Sequence, residues 1–413
     1  MNMTAQLTRN AMLQQAHDLP LEQLDVSNWH LMENDAIWPY FERLRKEDPI
    51  HYHADSRYGP FWSITRYDDI KAVDQNHKVF SSEPSIGLED FPADFETPMF
   101  IAMDQPKHDI QRKAVSPVVG PKNLAGFEAV IRQRVGKILD SLPVGETFNW
   151  VDRVSIELTT QMLATLFAFP FEDRRKLTHW SDVASMPGLS MEARQKELLD
   201  CLACFTELWH QRQGDEPSFD LISLLQHGEG TKDMINKPLE YLGNILLLIV
   251  GGNDTTRNSI SGGVLALNQF PTEYDKLRAD HSLIPNMVAE IIRWQTPLAF
   301  MRRTALEDIE LGGKQIKQGD KVAMWYVSGN RDEDKFEDAN RLIIDRPNAR
   351  NHISFGFGIH RCMGNRLAEM QLRVLWEEIM QRFEHIEVVG EPVRVRSNFV
   401  RGYAELPIRV HPA

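Results

Sequence analysis

Cys362 stands in the segment Phe355-Gly-Phe-Gly-Ile-His-Arg-Cys-Met-Gly364, and an amphipathic stretch, NRLAEMQLRVLWEEIMQRF, follows at once. A cysteine just before a helix N-terminus meets unpaired backbone N–H groups and the positive end of the helix dipole. That position favours the thiolate and makes the sulfur a competent ligand. Gly356, Gly358 and Gly364 permit a tight loop and a close approach of backbone to a flat ligand. A lone cysteine before a helix is by default an ordinary buried side chain, so the spacing of its neighbours carries the inference.

Three further groups could do chemistry. Gly251-Gly-Asn-Asp-Thr-Thr256 puts an acid, Asp254, beside an alcohol, Thr255, two side chains able to pass a proton. By themselves such residues more often satisfy a distorted helix backbone. His108 and Arg112 lie i, i+4 on a helix starting near Pro106, so both can reach one anionic group. Glu290 and Arg293 share one helical face at i, i+3, a spacing that is usually a solvated ion pair. Cys201 and Cys204 form a C-x-x-C pair, but their surroundings have helical periodicity and lack the strand-to-helix context of a redox motif. They read as two small buried side chains.

The elements that must position these groups are mostly helical. From about residue 104 to 281 apolar residues recur at three- and four-residue spacing. Short β-like runs cluster near the N-terminus (PIHYHAD, GPFWSIT) and after Pro297 (AFMRRTAL, IELGGKQIKQGDKVAMW, VRVRSNFVRGYAELPIRV). The fold class expected is mainly α with a smaller, mostly antiparallel β portion built from both ends of the chain. Such interleaving predicts a single integrated domain over residues 1–413, with residues 1–34 as an N-terminal extension. One helix is predicted to be unusually long, from Pro238 to the residue before Pro271. Its first half, YLGNILLLIV, is apolar on nearly all sides and should be central. Gly251 and Gly252 in its middle cost roughly 1 kcal/mol each relative to Ala, which predicts a need for space or a local distortion there.

The chain has 413 residues and a formal net charge of −13, which disfavours non-specific binding to nucleic acid or anionic lipid. No stretch approaches the roughly 18 apolar residues of a membrane span, and the N-terminus is not a signal peptide. Three cysteines in such a length do not make a disulfide framework, so a reducing, cytoplasmic setting is expected.

Six positions of the cysteine segment (Phe355, Gly356, Gly358, His360, Cys362, Gly364) match the haem-binding signature of the cytochrome P-450 superfamily, which the chain resembles from about residue 35 onward. The resemblance implies that Cys362 is the proximal thiolate ligand of a haem b, whose iron it makes more able to cleave dioxygen. Phe355, Gly356, His360 and Gly364 would surround that ligand. The haem would lie between the long central helix and the cysteine-loop helix. By the same resemblance Glu290, Arg293 and Arg346 form a structural network, and Asp254 and Thr255 deliver protons beside a groove opened by Gly251. His108, Arg112, His360 and Arg303 pair with the haem carboxylates, Arg303 fitting better than Arg302 by its spacing to TALEDIEL. The family usually has Pro where Gln105 stands.

Several stretches resemble the soluble bacterial alkane and fatty-acid ω-hydroxylases: HWSDVAS (179–185), GGNDTTRNSISGG (251–263), MWYVSGNRDEDKF (324–336) and the segment 345–378. This implies a monooxygenase that converts the terminal C–H of medium-chain alkanes, fatty acids or similar apolar molecules to a primary alcohol. Electrons would come from NAD(P)H through a separate two-iron ferredoxin and its reductase, docking near Arg361, with the enzyme monomeric and free of a membrane anchor. A narrow apolar channel must present only the chain end, and its candidate lining is the loop 86–100 (Ile86, Leu88, Phe100), Leu298, Phe300, Met301, Phe399 and Val400. The alternatives are a sterol side-chain terminal hydroxylase and, in a different class, a non-catalytic haem-binding sensor or electron carrier.

Overall fold

Residues Pro238–Gln269 form one continuous α-helix, bounded by the prolines that mark its ends in the sequence. At the usual rise its 32 residues span about 48 Å. The helix continues through Gly251 and Gly252 without a break; Gly251 borders open space, while a Cβ on Gly252 would lie 2.7 Å from the Leu163 side chain. A computed structural model describes residues 3–90, 95–185 and 189–412.

The chain resolves into two compact units, each assembled from separated segments. One comprises Met1–Asp90, Gly262–Cys362 and Gly390–Leu406. Its main sheet has the order Ile50–His53, Phe61–Ile64, Lys321–Met324, Met301–Ala305, Phe80–Ser81. The pairing of Phe61–Ile64 with Lys321–Met324 is parallel and the others are antiparallel, so the sheet is mixed. Phe41, Phe61, Leu88, Phe300 and Trp325 pack as a core on this unit, and Ile64, Ile70, Val322 and Phe336 as another. The helix Tyr67–Gln75 packs on the turn Gly358–His360 of the cysteine loop.

The other unit comprises Phe91–Ser261, Met363–Val389 and Pro407–Ala413. Here the helix Pro121–Asp140 lies along Asn365–Arg382, the helix that follows the cysteine. Arg132 bridges Glu128, Glu377 and Glu378, while Arg373 bridges Glu128 and Glu377, tying the two helices by their charged faces. Phe148–Asn149, Pro407–Pro412 and Phe383–Val388 form a small antiparallel sheet. Cys201 is fully buried and Cys204 half-buried on the helix Met191–Gln211, and burial pushes the Cys201 thiol far up, consistent with inert packing.

Candidate functional site

Cys362 is exposed on the bare chain, two residues before Gly364, the N-cap of Asn365–Arg382. Its backbone N–H donates to the Phe355 carbonyl at 2.8 Å, closing the loop on itself. Gly356 and Gly358 have φ of +66° and +68°, a left-handed backbone that only glycine adopts cheaply. His360 is buried at the end of the loop.

The segment before this loop is braced by a buried ion network. Arg293 Nε and Nη2 donate to the two Glu290 oxygens at 2.7 and 2.8 Å, and Arg346 Nε donates to both at 3.0 and 3.1 Å. The Ile343 N–H adds a further bond to Glu290. Arg293 Nη1 continues to the Asn330 carbonyl, and the Asn330 side chain holds the Ser354 hydroxyl and the Ile353 N–H. Arg303 is also buried, with Nη2 on Asp74 Oδ1 at 2.8 Å, whereas Arg302 pairs with Asp90 at 2.6 Å.

In the other unit, His108 and Arg112 sit on one face of the helix Lys107–Val115. His108 is buried beside Asp109 at 2.8 Å, and burial pulls its imidazole below the ordinary value against that carboxylate. On the long helix Asp254 is fully buried. Its Oδ1 accepts from Ser181 at 2.9 Å, and its Oδ2 from Ser185 at 2.9 Å. Arg257 lies 3.1 Å from Asp254 and 2.6 Å from Asp182, so one guanidinium serves two carboxylates. Burial raises the Asp182 carboxyl and Asp254 adds to this, with Arg257 opposing; Arg257 itself is held protonated by the two acids despite its burial. Thr255 turns the other way. Its Oγ1 donates to the Gly251 carbonyl at 2.9 Å, and Leu247, Gly251 and Thr255, at i, i+4 and i+8, form an open stripe, with Leu248, Val250 and Gly252 also partly exposed beside it.

Residues 144–402 match the Cytochrome P450 family. This chain is a cytochrome P450. It is 34% identical over 411 residues to linalool 8-monooxygenase of Pseudomonas putida, covering 95% of this chain and all of that one. It is 33% identical over 414 residues to the methyl-branched lipid omega-hydroxylase of Mycobacterium tuberculosis, covering 95% and 94%. Among solved structures, cytochrome P450-153 from Novosphingobium aromaticivorans superposes with a TM-score of 0.89 at 47% identity, covering 94% of this chain and 99% of that one. The chain therefore has the P450 fold and is a haem-dependent monooxygenase of a family that draws electrons from redox partners. Among the described residues no helix is long and apolar enough to cross a membrane.

The residues present fit a haem. Cys362 offers an exposed sulfur, and a Cβ built on Gly251 or on Gly364 would meet nothing within 4 Å, so backbone borders open space at both glycines. The residues proposed from sequence to line a substrate channel divide by packing. Leu88, Phe300, Phe100 and Val400 are buried, and Phe300 packs on Trp325 and Phe399 at 4.6 and 5.4 Å between ring centroids. Ile86, Leu298, Met301 and Phe399 keep partial exposure. Of the loop 86–100, residues 91–94 lie outside the described residues. Sequence reasoning missed Asp74, Ser181, Asp182, Ser185 and Arg257. Ser181, Asp182 and Ser185 lie in the stretch HWSDVAS and Arg257 lies i+3 from Asp254, whereas Asp74 carried no local signal.

Proposed function

We propose that this P450 hydroxylates the terminal methyl of medium-chain alkanes, fatty acids or similar apolar chains. The observation that carries the reading is the open stripe of the long helix. It offers hydrocarbon from Leu247, backbone at Gly251 and one hydroxyl at Thr255, while Asp254 is turned into Ser181, Ser185 and Arg257. With that acid withdrawn, the stripe favours an apolar occupant over a charged one. Relatives named for linalool and for the omega position of methyl-branched lipids support the same class.

Haem b, when bound, supplies the activation of dioxygen. Cys362 would hold its iron within the loop of Phe355, Gly356 and Gly364, and His108, Arg112, Arg303 and His360 would meet its carboxylates. Glu290, Arg293 and Arg346 keep the loop's approach rigid. Asp182, the partly exposed acid, takes protons from water; Asp254 is the buried acid linked to it through Arg257. Thr255 Oγ1, its hydrogen committed to the Gly251 carbonyl, presents lone pairs on the open stripe. Ile86, Leu298, Met301 and Phe399 guide the chain end, with Leu88, Phe100, Phe300 and Val400 packed behind them. The enzyme acts as one integrated, monomeric, cytoplasmic domain, and a two-iron ferredoxin with its reductase docks near Arg361, an exposed base beside the cysteine.

The test is product analysis with NAD(P)H and a surrogate ferredoxin pair, offering octane, dodecanoic acid and a sterol ketone. Primary alcohols from the first two are expected. Subterminal alcohols, or turnover of the sterol alone, would refute terminal attack on simple chains.

A further inference from the structure

Asp74, in the last turn of the helix Tyr67–Gln75, belongs to no motif, yet it joins the two halves of the haem-facing chemistry within its unit. It is 2% exposed. Its Oδ1 accepts from Arg303 Nη2 at 2.8 Å. Its Oδ2 accepts from the Tyr326 hydroxyl at 2.9 Å and from the Phe357 N–H at 2.8 Å. Phe357 lies inside the cysteine loop, five residues before Cys362. The contact is close along the whole helix end. A Cβ on Gly358 would lie 2.7 Å from the Asp74 carbonyl oxygen, and one on Gly356 would lie 3.1 Å from Asp74 Oδ2. Lys71, nearly one turn earlier, sets its ammonium 4.9 Å from the centre of the Phe357 ring. The two loop glycines are thus required for backbone conformation and for the approach of this helix.

Arg303 is 1% exposed, and a guanidinium that deep is costly without a counter-charge. Asp74 is its ion-pair partner, and Nη1 is held by the Arg302 carbonyl at 2.9 Å. Burial and the Asp74 carboxylate keep the Tyr326 phenol protonated, and therefore a donor. One carboxylate consequently fixes a side chain expected to reach a haem carboxylate and a backbone N–H of the loop that carries the iron ligand.

We propose that Asp74 is a positioning residue of the haem site, neutralising Arg303 and setting the cysteine loop against the helix Tyr67–Gln75. This rests on Cys362 and Arg303 being haem partners. In a low-dielectric interior, removing one negative charge near the haem favours its more negative, reduced form. Asp74→Asn should therefore raise the ferric/ferrous potential and speed haem transfer to apomyoglobin. Asp74→Asn combined with Arg303→Gln, which removes both charges, should return the potential toward wild type. Asp74→Glu keeps the charge but not the fit, so the potential should hold while haem loss quickens. Tyr326→Phe, which leaves the charge intact, should not move the potential.

A wild-type potential and transfer rate in Asp74→Asn would overturn the proposal, as would a potential that the double variant does not restore. If Asp74→Asn does not fold, a wild-type rate of haem loss in Asp74→Glu would overturn it equally. A wild type lacking the thiolate carbon-monoxide band would instead sink the ligand assignment itself, so the two failures are distinguishable.

Discussion

Replacing Glu290 by Gln removes the only charge in a carboxylate that two buried arginines address. Glu290 and Arg293 are fully buried and Arg346 is 2% exposed. Arg293 gives the carboxylate two bonds, Arg346 Nε bonds both oxygens, and Ile343 adds a backbone donor. Gln keeps one acceptor oxygen and turns the other into an NH2 that faces guanidinium donors. Breaking a buried pair from one side costs about 3–5 kcal/mol, because the remaining charge is stranded. For a chain of 413 residues, unfolding entropy at about 2.1 cal/mol/K per residue comes to about 0.9 kcal/mol/K, so the midpoint should fall by about 3–6 °C. Because Arg293 also holds Asn330, and Asn330 holds Ser354, haem retention should fall together with the midpoint. Calorimetry of the haem-loaded protein, with the carbon-monoxide band followed through the same transition, checks both. A midpoint and a band indistinguishable from wild type would refute the claim that this network braces the cysteine loop.

Asp254→Asn should lower the rate of product formation by about 10²-fold or more, the scale of a lost general acid, and divert reducing equivalents to peroxide. Asp182→Asn should do the same more weakly and change the solvent isotope effect; unchanged coupling in both would remove the proton path. His53 and His352 are buried and pulled from 6.5 to about 3, by burial first in each case, then by His51 for His53 and by Arg293, Arg361 and Arg350 for His352. Their folded values lie below the unfolded one, so stability is full above pH 6.5 and falls as pH drops toward 3. The slope is about 1.4 kcal/mol per pH unit for each histidine; urea titrations from pH 7 to 5 should show it, and a flat profile would contradict it. Gly243→Ala would put a Cβ 2.3 Å from the Pro98 carbonyl oxygen and 2.6 Å from that of Thr97. It should cost about 1–3 kcal/mol by overpacking, read as a lower thermal midpoint.

The parts of this molecule that follow local rules were legible in its residues. The long helix runs between its two prolines, the β-like runs PIHYHAD and GPFWSIT became paired strands, and the i, i+3 spacing of Glu290 and Arg293 closes in space. Two-residue strands such as Phe80–Ser81 and Phe148–Asn149 are too short to carry a period. The parallel pairing of Phe61–Ile64 with Lys321–Met324 depends on a connection of more than 250 residues, which no local pattern encodes. The same holds for the site. Cys362, Asp254 and Thr255 announce themselves by motif, but which way Asp254 points is decided by Ser181, Ser185 and Arg257. Asp74 finds Arg303 across 229 positions of sequence, so its role is visible only once the chain is folded.

The most direct test is the reduced carbon-monoxide difference spectrum of the purified wild type beside Cys362→Ala and Cys362→His. With Cys362 as the thiolate ligand, the wild type shows the band at the wavelength that gives the family its name, and both variants lose it. A thiolate band that survives in Cys362→Ala would contradict the account at its centre.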